Sequence, residues 1–281
     1  LDAVTGTVDL QNGASLTLNN GQSTIATAAE LKGAAGTTLV VNGGTLTING
    51  AKSYQGNAHL KSGAKATLDN VAGLGNDADS TVTLDDGTTL SITHAGAADI
   101  QSKLAGGGVL EVDLNAAADN LSFSNTDNAF TGTLVLNKGR LALAGAADNN
   151  RKTLEAATLK TGDNADVEVS SGINKLGGLT LAGGKIGFGA IDLNGTTSAG
   201  YVDLANTGSL VIDSDTNVDI SLSAAANLTA GGSELLSMDE GAHVALVTNS
   251  NQTITNVERL KFTGTASQTS TLKQSGVDVA N

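Results

Sequence analysis

The stretch FSNTDNAFTGTLVLNKGRLAL, Phe123 to Leu143, decides how this chain folds. Phe123 and Phe130, two of the four phenylalanines in 281 residues, open it. Gly132-Thr-Leu134-Val-Leu136 and Gly139-Arg-Leu141-Ala-Leu143 then repeat one pattern, a glycine followed by alternation, on either side of a polar Asn137-Lys138 corner. Period-two alternation sends Leu134 and Leu136 to one face, and Leu141 and Leu143 to one face, so each segment covers an apolar interior with only two or three side chains. A strand that short is stable only with others packed against it.

The same unit recurs on both sides. Gly13-Ala-Ser-Leu16-Thr-Leu18, Gly36-Thr-Thr-Leu39-Val-Val41, Gly44-Thr-Leu46-Thr-Ile48, Gly63-Ala-Lys-Ala66-Thr-Leu68, Gly87-Thr-Thr-Leu90-Ser-Ile92 and Gly108-Val-Leu110-Glu-Val112 precede it. Gly178-Leu179-Thr-Leu181, Gly184-Lys-Ile186-Gly-Phe188, Gly208-Ser-Leu210-Val-Ile212, Val218-Asp-Ile220-Ser-Leu222 and Gly241-Ala-His-Val244-Ala-Leu246 follow. Aligned copies stand roughly 20 to 24 residues apart, as from Leu16 to Leu39, Leu68 to Leu90 and Leu90 to Leu110, which is the length of one solenoid coil of three short strands. The fold expected is all-β, a right-handed parallel β-helix. Asn19-Asn20-Gly21, Asn42-Gly43-Gly44, Asn49-Gly50, Asp69-Asn70, Asp85-Asp86-Gly87 and Asn194-Gly195 supply corners, where Gly and Asn tolerate positive φ and stacked Asn side chains bond along the axis. A β-hairpin across Asn137-Lys138 is the rival local reading. No stretch carries a capped apolar stripe at helical spacing; Ala95 to Gly106 is the one candidate for a short turn, with a coil corner as the alternative.

Composition agrees. There are 36 glycines, no proline, no cysteine, no tryptophan and only 2 % aromatics, yet 40 % of residues are hydrophobic, so the interior is thin and lined by aliphatics. Without cysteine there are neither disulfides nor thiolate metal sites, a composition compatible with export. No run of 18 apolar residues occurs, and a first residue other than methionine leads to the expectation of a piece of a longer precursor. A net charge of −13 opposes attraction to nucleic acid and to an anionic membrane surface.

Two charged groups stand out as candidate interaction residues. Lys138, Arg140, Arg151, Lys152 and Lys160 gather in the middle of the chain and are suited to an anionic glycan through charge-assisted hydrogen bonds; the plainer reading is that they offset neighbouring acids. Asp203, Asp213, Asp215 and Asp219 fall in a span, Ile186 to Glu258, that holds no Lys or Arg. On a β-helix such carboxylates resemble the set used by polysaccharide-active enzymes, but a solvated acidic face is the reading preferred. If two copies met antiparallel, the basic middle would face the acidic half.

The residues around Gly132 carry a resemblance. Asn128-Ala-Phe130-Thr-Gly132-Thr-Leu-Val-Leu followed by Gly139-Arg-Leu-Ala-Leu143 resembles the passenger-associated transport repeat of classical type V autotransporters, and Leu179-Thr-Leu-Ala-Gly-Gly-Lys-Ile-Gly-Phe188 is similar to passenger coils. The specific motif covers about residues 123–143 of a single β-helical passenger fragment spanning 1–281, and the looser repeat covers nearly the whole chain. The resemblance implies a passenger carried to the surface of a Gram-negative bacterium, or secreted, through a C-terminal β-barrel not included in this sequence. It implies a β-helical rod acting as an adhesin in cell aggregation, biofilm formation or host attachment, with the same protein on neighbouring cells, a host glycan or a matrix protein as partner. A stem or folding module of a larger passenger and a polysaccharide-active β-helix enzyme are the alternatives. No Gly-Asp-Ser-Gly segment marks a protease.

Other chemistry is weaker. His59, His94 and His243 fall in different coils, so no His-based catalytic group is expected. Gly73-Leu-Gly75-Asn76-Asp77-Ala-Asp79 partly resembles a calcium-binding nonapeptide, but it occurs once and Asp79 takes an apolar position, so an Asp-rich loop is expected and no cofactor or metal is assigned. The Thr45-x-Thr47 and Thr81-x-Thr83 pairs do not recur at one coil position and read as ordinary outward residues.

Overall fold

A computed structural model describes residues 3–145, 147–169 and 173–188 and, from residue 201 onward, strands alone. Its contacts divide it into two compact units, 1–135 and 136–281.

In the first unit the chain winds as a parallel solenoid of three sheets. Coil after coil, Ser15–Asn19, Thr38–Asn42, Asn57–Lys61, Thr81–Leu84, Lys103–Gly106 and Ala129–Phe130 stack into a six-stranded sheet. Gln22–Ile25, Thr45–Ile48, Lys65–Leu68, Thr89–His94 and Val109–Leu114 stack beside it. Thr7–Leu10, Glu30–Gly33 and Ser53–Tyr54 make the third sheet. At the next coil a one-turn 3-10 helix, Val71–Leu74, replaces the strand of that third sheet, and strands return as Ala98–Ile100 paired with Asn120–Phe123.

Each predicted glycine-led strand of this unit forms, and its alternation is the burial pattern. Leu39, Val41, Leu46, Ile48, Leu68, Leu90 and Leu110 are at most 2 % exposed, while the residues between them face outward. Register follows the predicted spacing at Leu16↔Leu39 and Leu90↔Leu110. It departs at Leu68, whose partner is Ile92, while Leu90 pairs with Ala66, because Leu68 is the second inward residue of its strand and Leu90 the first of the next.

The deciding stretch forms no hairpin. Thr133–Leu143 is one strand in which Leu134, Leu136, Leu141 and Leu143 are fully buried and Asn137 and Lys138 are two successive outward residues. Two outward residues in a row rotate the strand by one position, so the apolar side chains point inward before and after the bend. Thr158–Val169 bends differently: Gly162, Asp163 and Asn164 are three outward residues in a row, so the inward set, Leu159 and Thr161 before and Ala165, Val167 and Val169 after, keeps its parity. Just ahead, Phe130 explains its glycine: a Cβ on Gly132 would stand 2.8 Å from Phe130 Cε2 and would overlap the Gly108 carbonyl oxygen.

In the second unit the parallel pairs continue through Thr158–Val169, Gly178–Leu181, Lys185–Phe188, Ile173–Leu176, Tyr201–Leu204, Leu210–Ile212, Val218–Leu222, Ile254–Thr255 and Leu260–Thr263. Two expectations fail. Ala95 to Gly106 contains no helical turn but two strands, Ala98–Ile100 and Lys103–Gly106; among the described residues the α-helix is Asn149–Leu154, started by Asp148, whose carboxylate accepts from Asn150 N and Arg151 N. Gly241 to Leu246 is not a parallel copy throughout: Ala242–Val244 pairs antiparallel with Leu236–Met238 in a four-stranded antiparallel sheet. The Asn194-Gly195 corner lies outside the described residues.

Candidate interaction surface

Because parallel strands stack in register, outward residues at one coil position form columns spaced by the strand separation, about 4.8 Å. On the sheet that begins with Gln22–Ile25, one column reads Thr24, Thr47, Thr67, Ser91 and Glu111, and Ser91 Oγ donates to Glu111 Oε2 at 2.7 Å. Thr81-x-Thr83 stands on the six-stranded sheet instead, so the two Thr-x-Thr pairs occupy different faces. At the corner between these sheets, Asn42 Nδ2 donates to Asn19 Oδ1 at 2.9 Å and Asn42 Oδ1 accepts from Ser62 Oγ at 3.0 Å, an amide ladder along the axis.

Side-chain amides also take over where strands stop. Thr81 N donates to Asn57 Oδ1 at 2.8 Å, Gln101 N to Asn76 Oδ1 at 2.6 Å and Leu104 N to Asn128 Oδ1 at 2.7 Å. Each satisfies a backbone donor that the adjacent coil leaves unpaired. The segment from Gly73 to Asp79 is thereby a structural loop: Asn76 bridges to the next coil and Asp77 Oδ1 accepts from Asp79 N at 2.9 Å. Among the described residues no three His, Asp or Glu side chains converge as a metal site.

The described histidines have separate partners. His59 Nε2 lies 2.8 Å from Asp85 Oδ1 across adjacent coils, and His94 Nδ1 accepts from Val71 N at 3.4 Å. His243 belongs to the antiparallel sheet. Inside the first unit a cavity of about 20 Å³ lies among Leu68, Leu74, Ile92, Ile100 and Leu104, room for one water and no organic ligand.

Among the basic candidates, Arg140 pairs with Glu168 and both are partly exposed. Arg151 is drawn in: its side chain is 8 % exposed, its Nη1 donates to Glu155 Oε2 at 2.7 Å one helical turn on, and its Nε has no partner. Lys138, Lys152 and Lys160 are half-exposed. The helix from Asp148 is therefore what separates Arg151 from its sequence neighbour Lys152.

Two of the four acidic candidates, Asp203 and Asp219, lie in described strands. Asp203 is the register partner of Lys175, and Asp219 stands between Lys185 and Lys261, with Asp166 paired to Lys185 on the other side at 3.8 Å. A solenoid places residues one coil apart side by side, so a span without lysine in sequence still gains lysines from the coils that flank it. Asp213 and Asp215 lie outside the described residues.

Two residues of consequence escaped the sequence reading. Lys52 is 7 % exposed and its Nζ donates to the carbonyls of Ala26, Thr27 and Ala29 at 3.0, 3.3 and 2.8 Å, closing a coil corner from inside. Tyr54 is 1 % exposed, its hydroxyl donates to Asn57 O at 2.7 Å, and burial raises its phenol above the usual value of 10.0. A lone lysine and a lone tyrosine between short strands carry no pattern. The cap at Asp148 did carry one, an Asp directly before a run of helix-compatible residues.

No known protein family matches this sequence, and no curated protein or solved structure shows significant similarity to it.

Proposed function

We propose that the chain is part of a non-catalytic surface adhesin of the autotransporter-passenger kind, binding through repeated outward columns rather than through a cleft. The carrying observation is the column Thr24, Thr47, Thr67, Ser91 and Glu111, one polar group per coil above a fully buried aliphatic interior. Regular weak contacts of that kind gain avidity when a partner is itself repetitive, as another copy or a glycan chain is. The export motif resemblance at 123–143 supports the same assignment and a location at the surface of a Gram-negative cell. The polysaccharide-active alternative gains nothing from Asp203 and Asp219, each of which has a lysine as register neighbour.

Sedimentation velocity of the purified chain across concentration, at low and high salt, tests the homotypic form. Reversible association is expected, and it should weaken when Lys152 and Lys160 are reversed to Glu. Arg151 is the wrong residue to reverse, because its burial makes any loss a folding effect. A concentration-independent monomer removes homotypic binding and leaves the heterotypic form, for which a glycan array is the measurement; silence in both removes adhesion from this chain and leaves the stem reading.

A further inference from the structure

Four Asn-Gly pairs lie in the described coils, at 12–13, 20–21, 42–43 and 49–50. Glycine offers no side chain to hinder its nitrogen, so in an unfolded chain all four asparagines are equally prone to attack by the following amide nitrogen. The fold treats them differently. At Asn42 both reacting groups are held: its carboxamide bonds to Asn19 and Ser62, and Gly43 N donates to Lys61 O at 3.0 Å. At Asn49 the nucleophile is held, because Gly50 N donates to the Asp69 carboxylate. That anion also disfavours loss of the amide proton, the step attack requires. Asn20 is partly held, its carboxamide oxygen lying against Gly43 of the next coil.

Asn12 is held by nothing among the described residues. It and Gly13 are exposed, its carboxamide has no hydrogen-bond partner, Gly13 N has no backbone acceptor, and both residues have positive φ, 55° and 73°. We propose that Asn12-Gly13 is a self-modification site that converts to aspartate and isoaspartate in the folded protein, while the coil contacts protect Asn42 and Asn49. Hydroxide removes the Gly13 amide proton, the Gly13 nitrogen bonds to Asn12 Cγ, and the Cγ–Nδ2 bond breaks as Nδ2 takes a proton from water, which releases ammonia and returns hydroxide. Water then opens the succinimide at either carbonyl. One water is consumed, one ammonia leaves, and nothing is oxidised or reduced. The turn closed by Ala14 N to Gln11 O gains a negative charge and, in isoaspartate, one extra backbone methylene. That altered linkage is the chemistry that isoaspartyl O-methyltransferases recognise.

The test is peptide mapping of the intact chain after incubation at mildly alkaline pH, natively folded and in concentrated urea, with isoaspartate read by mass shift and by methyltransferase labelling. In the folded chain position 12 is expected to convert about tenfold faster than positions 42 and 49, the size of effect that loss of one or two hydrogen bonds gives, and in urea the positions should converge. Asp69→Ala, which frees Gly50 N, should raise conversion at Asn49 several-fold and leave Asn12 unchanged. Equal rates at 12, 42 and 49 in the folded chain, or the same ranking in urea as in buffer, would overturn the proposal.

Discussion

Gly33 and Tyr54 are register partners on adjacent coils, and a Cβ on Gly33 would stand 2.6 Å from Tyr54 Cε2 and 2.6 Å from Thr37 Oγ1. A Cβ on Gly56 would likewise stand 2.6 Å from Tyr54 Cζ. The largest fully buried side chain of the first unit thus fits because two glycines leave it room. Gly33→Ala is expected to lower stability by about 1–3 kcal/mol, the usual cost of overpacking. Urea unfolding followed by circular dichroism checks it, and Tyr54→Leu in the same chain should recover part of the loss.

Burial also makes Tyr54 a pH-dependent contributor. Its phenol ionises less readily folded than unfolded, so the folded state holds the proton longer. Stability is therefore flat with respect to this group below the unfolded value near 10 and falls as pH rises above it. Unfolding midpoints measured from pH 8 upward should drop in the parent chain and drop less in Tyr54→Phe; equal slopes would contradict the assignment.

Lys52 stabilises through three carbonyls rather than through a carboxylate. Lys52→Met keeps the side chain's length and removes its donors, above all from the buried Ala29 carbonyl, while Ala26 O keeps its bond from Ala29 N. A loss of about 2–3 kcal/mol is expected, with the denaturant slope unchanged. Ammonium or methylammonium in the buffer should restore part of it, since either cation presents the missing donors; no restoration would mean that packing, not hydrogen bonding, is what Lys52 supplies.

The lysines beside Asp219 give a register test. Asp219→Lys puts three lysines in consecutive coils at one column, at positions 185, 219 and 261. Like charges directly opposite cost a few tenths to 1 kcal/mol per pair, so a loss of about 1 kcal/mol is expected. Adding Lys261→Asp should return about half of it, because one of the two like pairs becomes unlike, whereas Lys185→Asp would only move a like pair to Asp166; a double-mutant cycle reads the coupling.

The coil length and the inward residues were legible because each glycine-led strand repeats one alternation, as in Gly36 to Val41 and Gly87 to Ile92. The sheet holding Thr7–Leu10, Glu30–Gly33 and Ser53–Tyr54 was not, since Glu30–Gly33 and Ser53–Tyr54 have no leading glycine and Ser53–Tyr54 is only two residues long. The bend at Asn137-Lys138 was visible as a polar corner, but that it lies within one strand depends on pairing that no local pattern encodes. At the candidate surface the ladder of Asn19 and Asn42 followed from their recurrence at corners. The acidic span misled for a physical reason: charge counted along the chain is not charge counted between coils, and Lys175 and Lys261 are the register partners of acids more than twenty residues away.

The column Asp166, Lys185, Asp219 and Lys261 changes sign at every step. Solenoids lengthen and shorten in evolution by whole repeats, and along this column such an event obeys parity. Deleting the coil that carries Lys185 would bring Asp166 against Asp219, and duplicating it would bring lysine against lysine. Loss or gain of two adjacent coils keeps every contact between unlike charges. Relatives of this chain should therefore differ in this region by even numbers of repeats, or else carry a compensating charge reversal at the junction.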